Sequence, residues 1–509
     1  MTGDTMLRRP PGTGGPGLRE RAVAQHRRVR PSRRMPLAVA GLCQVVLLLW
    51  WLAAYPAFVS YDSAMYVWQV TDPGHWTADH SALYDAIVLW SLKLTGSVAP
   101  VVLLQTVGMS LGLGYAVSAL ARLGARARWS APAAVALVVL PPTGTFVVFL
   151  WKDVPFTICG VFLLAAALRL LSRKLDGTIG HGGRALRLDL AVFFLAMLGL
   201  GLFRNNSYGL MLVVAVLLLA ALPLVRRRIA LLTALSLAVP LALNLWAYSA
   251  IWDIHRPPAS SVYALNYDDL AVAYHRDPAA FGAEDRAVLA AVAPLTTWDA
   301  AGYQCFSVDP LTNWGEGWDR HQAAAHSHEL MSMWGRIVLD HPDYVVDARL
   351  CRSHIAWAIF AGPADRAGDT VVQSPKASPD LFGFTAPGGD LEHSRYADAL
   401  RPHPAAQPLL RAALWLHDLF RAPQLDWLFW RGAVWCYLGY AALAVYARRR
   451  GSFAVLAVGG AVLLGLQLNL IVANAAPHFR YMALALFVGP LLLPLLAAGR
   501  GGARTAARR

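Results

Sequence analysis

The chain has 509 residues, of which 57% are hydrophobic and only 15% charged. Soluble domains run at about 45–50% apolar and about 25% charged, so an ordinary soluble protein and a disordered chain are excluded, and five cysteines are too few for a disulfide scaffold. The formal charge of +14 raises the question of a nucleic-acid partner, which the placement of the charges decides.

Residues 1–35 are rich in Pro and Arg, with nine Arg against Asp4 and Glu20. They are expected to form a disordered basic tail. The glycine-rich stretch at 12–17 follows no strand and is read as a flexible leader and not a phosphate loop. Apolar runs of about 20 residues, the length that spans a bilayer, then predict ten spans. They lie near 36–56, 98–121, 131–150, 154–172, 188–203, 207–225, 229–251, 427–447, 453–473 and 480–498. This gives an all-α transmembrane bundle with a seven-span module at 36–252, a three-span module at 427–498 and a basic tail at 499–509.

When the spans alternate in direction, the basic clusters fall on one side. Arg122, Arg126 and Arg128 come first, then Arg169, Arg173, Lys174, Arg184 and Arg187. The triplets at 226–228 and 448–450 follow, with Arg500, Arg504, Arg508 and Arg509 at the end. With the leader, that side holds 27 of the 45 basic residues and four acids. Such a bias marks a cytoplasmic face. Both termini are therefore expected inside a plasma membrane, and no nucleic-acid partner is expected.

The opposite side carries the polar residues of interest. The first outer loop, 57–97, contains Asp62 and Asp79-His80, followed by an amphipathic run at 82–94 suited to lying along the interface. Asp62 either caps a helix or takes a proton from an incoming hydroxyl as general base. Lys152-Asp153, in the turn at 151–153, reads as a self-neutralising pair with Asp153 capping the next span, or as part of an anion site. Arg204-Asn205-Asn206, at 204–206, is either an interfacial anchor or a phosphate contact, because a guanidinium with amide donors suits phosphate. His478, Arg480 and Tyr481 flank the last outer turn, 474–479, where Arg480 could also snorkel to the headgroups. Cations on this side run against the positive-inside pattern, and a negative ligand would account for them.

Residues 253–426 are the one stretch of soluble character and are expected to be an extracytoplasmic insertion of mixed or mainly α structure. Helical spacing appears at 330–339 and 345–359, broken at Pro342, and 362–408 reads as loop. Cys305 and Cys351 fall in this insertion, where they either pair as a disulfide or remain buried thiols; Cys43, Cys159 and Cys436 lie in spans. His321, His326, His328 and Glu329 match no standard zinc spacing, so no metal site is expected. Trp314 and Trp318 either stack on a sugar or fill a core. Gly108 with Gly112, and Ser110 with Gly114, have the small-xxx-small spacing of close helix packing. Trp50, Trp51, Trp151, Trp427 and Trp430 suit an interfacial belt.

Tyr55-Pro56, Ser60-Tyr61-Asp62-Ser63, Asp79-His80, Trp151-Lys152-Asp153, Phe203-Arg204-Asn205-Asn206 and His478-Phe479-Arg480-Tyr481 together resemble the outer-face motifs of GT-C-type membrane glycosyltransferases. More distantly they are similar to those of protein mannosyltransferases and the lipid A aminoarabinose transferase. The likeness follows the order of spans and motifs from about 36 to 498; the insertion adds little to it. It implies inverting transfer of a sugar, an EC 2.4 activity, from a polyprenyl-phosphate carrier to an envelope glycan, lipid or exported protein on the outer face. By the same resemblance Asp62 would activate the acceptor, and Lys152, Arg204 and Arg480 would hold the carrier phosphate. Asp79, His80, Asp153, Asn205, Asn206, His478 and Tyr481 would contact substrate. No cofactor is fixed by the sequence; Asp62, Asp79 and Asp153 could supply ligands to a divalent cation. Two positions depart from the family pattern: Ser81 stands where Pro usually follows the histidine, and Ala57 where Gly usually follows Tyr-Pro. Two other classes are carried forward. A transporter or flippase of a lipid-linked or anionic solute predicts ionisable residues near the bilayer midplane and broken, repeated helices. A non-catalytic glycan-binding envelope protein predicts that the insertion alone binds.

Overall fold

A computed structural model describes residues 34–72, 74–362, 380–403 and 407–498. The tails expected at 1–35 and 499–509 lie outside them, apart from Arg34 and Met35, which already belong to the first helix. Among the described residues the regular structure is helical, with two isolated β-bridges. Leaving out single turns, the first module holds α1 (Arg34–Ala54), α2 (Tyr61–Thr71), α3 (Ala82–Thr95), α4 (Ala99–Arg122), α5 (Ala127–Val139), α6 (Pro141–Val148), α7 (Asp153–Leu175), α8 (Arg184–Phe203), α9 (Tyr208–Ala221) and α10 (Arg226–Ala242). The insertion holds α11 (Ala264–Arg276), α12 (Ala283–Val292), α13 (Leu295–Tyr303), α14 (Ser327–Asp340), α15 (Pro342–Arg352) and α16 (Gln407–Phe420). The chain ends with α17 (Gly432–Arg450), α18 (Ala454–Ala473) and α19 (Phe479–Leu492).

Seven helical stretches among the described residues are long and apolar enough to cross a membrane. They are α1, α4, α7, α8, α18, the stretch Pro223–Trp252 that contains α10, and Phe479–Ala497, which contains α19. The expected count of ten differs at three places. Residues 131–150 form two helices, α5 and α6, bent by 65°. Leu140 is extended just before Pro141, as the residue preceding a proline is forced to be. The span expected at 207–225 is the 14-residue α9, which gives way to a short 3-10 turn beginning at Pro223. The one expected at 427–447 begins late, at Gly432, and α17 closes on Arg448, Arg449 and Arg450, so it falls short of the apolarity of the seven.

Small residues let these helices approach. A Cβ at Gly114 of α4 would lie 2.7 Å from the Pro36 carbonyl oxygen of α1. Gly108 and Gly112, on another side of α4, face Ile158, Val161 and Phe162 of α7. At one end of the bundle the basic helix termini are bonded to carbonyls: Tyr446 Oη and Arg450 Nη2 donate to Leu123 (2.6 and 2.9 Å), and Lys174 Nζ donates to Ala221 (2.5 Å). The motif residues gather at the other end.

Helices α11 to α15 share their own core, built on Tyr267, Leu270, Trp298, Leu330, Met333 and Ile337. Trp318 packs against it, whereas Trp314 is exposed. Cys305 and Cys351 are joined as a disulfide, with Cα atoms 5.9 Å apart. Some of the other described residues of the stretch expected as an insertion pack against the bundle. Leu381, Phe384, Leu391 and Leu400 enter the bundle core. The loop expected at 362–408 lies partly outside the described residues, consists of turns over 380–403, and is succeeded at Gln407 by α16, which packs on α1 and α6.

Candidate functional site

The loop expected at 57–97 folds into α2 and α3, and its start is strapped to the turn before α7. Phe58 N–H donates to the Val148 carbonyl (3.0 Å), and Leu150 N–H donates back to Phe58 (2.9 Å). Ser63 Oγ donates to the Leu150 carbonyl (2.9 Å), and Trp151 Nε1 donates to Ser60 Oγ (2.6 Å). These bonds bring Lys152 to the first turn of α2, which carries Asp62. Ser60 occupies the cap position of α2, so Asp62 is not its cap. Its carboxylate instead accepts a hydrogen bond from Arg480 Nη1 and forms an ion pair with it.

Arg480 lies in the first turn of α19, with its guanidinium 5.4 Å from the Trp151 ring and 5.3 Å from that of Tyr481. Arg204 follows the end of α8 and stacks over the other reach of Tyr481 (4.4 Å), with Nη1 3.4 Å from Asp153 Oδ1. Lys152 Nζ sits 2.5 Å from His80 Nδ1. Lys152 and Asp153, read in sequence as a self-neutralising pair, therefore turn to different partners. The His80 ring meets Tyr66 edge-on at 5.2 Å.

The remaining residues frame this cluster. Asn205 Nδ2 donates to the carbonyls of Ala78 (3.0 Å) and His80 (3.2 Å), fixing the loop that carries Asp79 and His80. Ser81 Oγ accepts from Tyr84 N–H (3.1 Å) and donates to the Leu202 carbonyl (2.7 Å). Serine at this position thus caps α3 and ties it to α8. Asn206 Nδ2 donates to Ala473 (3.2 Å), and His478 meets Tyr481 edge-on at 5.7 Å; both stand at the rim. Asp79 faces Lys152 and Arg320.

The turn between α18 and α19 is held from the insertion. Asn474 Nδ2 donates to the carbonyls of Arg352 (2.6 Å) and Ala476 (2.9 Å), and Val308 N–H donates to Ala475 (2.9 Å). Arg352 is fully buried, with Nη2 2.5 Å from Asp269 and Nη1 bonded to Asp268.

Electrostatics follow from this packing. Burial alone would raise the Asp62 carboxyl, but Arg480, His80 and Lys152 outweigh it and hold the group well below the usual carboxylate range. Burial, reinforced by Lys152, pushes His80 down to about 3, so the ring is neutral near pH 7 and its Nδ1 accepts from Lys152. Burial lowers Lys152, against the pull of Asp153 and Asp62. Asp62 keeps 22% of its side chain exposed, enough for a ligand to reach it.

Two members of the cluster were not expected. Among the described residues, the buried Tyr66 hydroxyl has no hydrogen-bond partner, and neither oxygen of the fully buried Asp85 has one. Burial raises Asp85 to about 8, with Lys152 opposing. The available signal was an acid on the same helical stripe as Ala82, Val88 and Leu92. Among the described residues no three His, Cys, Asp or Glu side chains are grouped as metal ligands. His326 and Glu329 only face each other at 3.7 Å.

An apolar groove of about 560 Å³ lies between α5, α6 and α19, lined by Leu137, Leu140, Pro142, Phe429, Leu486 and Pro490 among others. Phe429 precedes Trp430, whose ring packs at 5.0 Å on Phe479, the neighbour of Arg480. No family model, no curated protein and no solved structure matches the chain.

Proposed function

We propose that the protein is an inverting membrane glycosyltransferase of GT-C type, which moves a sugar from a polyprenyl-phosphate carrier to a hydroxyl of an envelope glycan, lipid or exported protein. The observation that supports this reading is the meeting of Asp62, Lys152, Arg204 and Arg480, drawn from four separate stretches of chain, opposite the basic end of the bundle. On this reading α5 with α6, α9 and α17 complete ten crossings. By the positive-inside rule the basic end faces the cytoplasm, while the site and α11 to α15 face outward.

The acceptor oxygen attacks the anomeric carbon from the face opposite the phosphate. A new C–O bond forms, the C–O bond to phosphate breaks with its electron pair left on the phosphate, and the acceptor proton passes to Asp62. A carboxylate held as low as Asp62 is a poor base. A carrier phosphate bound at Arg480 would compete for that guanidinium and let Asp62 rise toward a useful range. Lys152 rests against a neutral imidazole and is the cation most ready to meet the phosphate. Fixed cations at the leaving group supply the electrostatic stabilisation. The apolar groove between α5, α6 and α19 suits the apolar chain of the carrier.

The test is release of polyprenyl phosphate by purified protein in bilayers, offered a panel of polyprenyl-phosphate hexoses and pentoses with acceptor extracts. Asp62→Asn should remain folded and membrane-inserted but lose transfer; undiminished transfer by that variant overturns the mechanism. The bend between α5 and α6 favours a second reading, a flippase. That protein would move a labelled carrier-linked sugar across a vesicle membrane without cleaving it.

A further inference from the structure

The basic end of the bundle contains a second buried charge cluster, which the proposed reaction does not use. Asp189 of α8 is fully buried, and each of its oxygens is taken by a guanidinium of α7. Arg169 Nε donates to Oδ1 at 2.6 Å and Arg173 Nε to Oδ2 at 2.7 Å. Tyr115 Oη of α4 also donates to Oδ1, at 3.3 Å. Arg169 stacks over the Tyr115 ring (4.8 Å) and donates from Nη1 to Ser118 Oγ at 3.2 Å. Arg122, the exposed last residue of α4, faces Arg169, Arg173 and Asp189. Three guanidiniums thus share one carboxylate.

This differs from the neighbouring Lys174 and from Arg450 at the end of α17, both bonded to carbonyls. Here Arg173 Nη2 is buried with no hydrogen-bond partner among the described residues, a costly state for a charged donor. The two tails of the sequence cannot balance the surplus, being basic themselves with only Asp4 and Glu20 as acidic residues. Asp176, the other acid on this side, faces Tyr446. Arg169 lies six residues before the end of α7, about 9 Å along the axis, the depth of lipid headgroups. A guanidinium fork matches two phosphate oxygens at once.

We infer that Arg122, Arg169 and Arg173 form a binding site for a phosphate-bearing ligand, filled by the headgroup of an anionic phospholipid in the leaflet at the basic end. Asp189 sets the two α7 guanidiniums at a fixed spacing, and the exposed Arg122 admits the headgroup from the bilayer.

Native mass spectrometry of the full-length protein, exchanged between phosphatidylglycerol and phosphatidylcholine, tests this. Wild type should retain phosphatidylglycerol preferentially. Arg122→Gln with Arg173→Gln should lower that preference by about ten- to thirtyfold, as expected for two cations near an anionic headgroup. Arg227→Gln with Arg228→Gln, which removes the same charge elsewhere on that end, should leave it intact. Arg122→Lys alone, at an exposed position that cannot unfold the bundle, should keep most of it. Inorganic pyrophosphate that displaces the lipid from wild type but binds weakly to the Arg122/Arg173 variant would keep the phosphate site and identify a soluble source. An unchanged lipid preference in that variant, or an equal loss in the Arg227/Arg228 control, overturns the inference.

Discussion

Burial alone would raise the Asp62 carboxyl, and Arg480 is the foremost of the cations that hold it down. Arg480→Gln should therefore let the carboxyl rise above its ordinary value. The expected sign is a new infrared C=O band of a protonated carboxyl in mildly acidic buffer, absent from the Asp62→Asn/Arg480→Gln double variant. His80 gives a pH dependence of known sign. Unfolded, it takes a proton near its usual 6.5; folded, only near about 3. Between those values unfolding takes up a proton, so stability should fall as pH drops from about 6.5 toward about 3. His80→Gln should flatten that part of a melting-temperature profile; an unchanged slope would mean that the imidazole is not neutral in the fold. Sequence alone picked out Lys152, Arg204 and Arg480 as cations placed against the positive-inside pattern, and Asp62 as a carboxylate in the first outer loop. It could not pair them, because partners such as Lys152 with His80 and Arg204 with Asp153 depend on how α7 starts and how α8 ends. Asp85 went unnoticed because an isolated acid on an interfacial helix carries no motif.

Blocks of apolar residues were enough to locate the seven helical stretches long and apolar enough to cross a membrane, and the three departures trace to proline and arginine. Pro141 splits one expected span and a turn beginning at Pro223 cuts another short, while α17 ends in three Arg. The small-residue spacing in α4 was legible, but not which helix each glycine meets. Gly114→Ala should be destabilising by about 1–3 kcal/mol, because the obstructing atom is a backbone carbonyl and not a movable side chain. Thermal unfolding in detergent measures this. The dependence of the α18–α19 turn on α15 was invisible in the sequence, since Asn474 and Arg352 are far apart along it. Asn474→Ala removes two hydrogen bonds at a buried position and should cost about 1–3 kcal/mol. Hydrogen exchange over 474–481 should quicken while α4 and α7 remain protected.

At the scale of the molecule, sidedness is the expectation most open to direct measurement. Free Cys43 and Cys436 are buried, Cys159 is half-buried and Cys305 is bonded to Cys351, so single introduced thiols can be followed in a Cys159→Ser background. A membrane-impermeant maleimide on intact cells should label His393→Cys and should reach Gly182→Cys only after permeabilisation; the reverse pattern would invert the topology. The Asp62–Arg480 pair joins positions 418 residues apart, and this has a consequence in time. A chain emerging from the ribosome at about 5–20 residues per second makes Asp62 roughly 20–80 s before Arg480 exists. Until the last helix enters the membrane, Asp62 lacks the cation that holds it charged, and Lys152 and Arg204 stand without the third positive group. On the proposed function, a partly made protein is therefore inert, and only a finished one would handle a lipid-linked substrate.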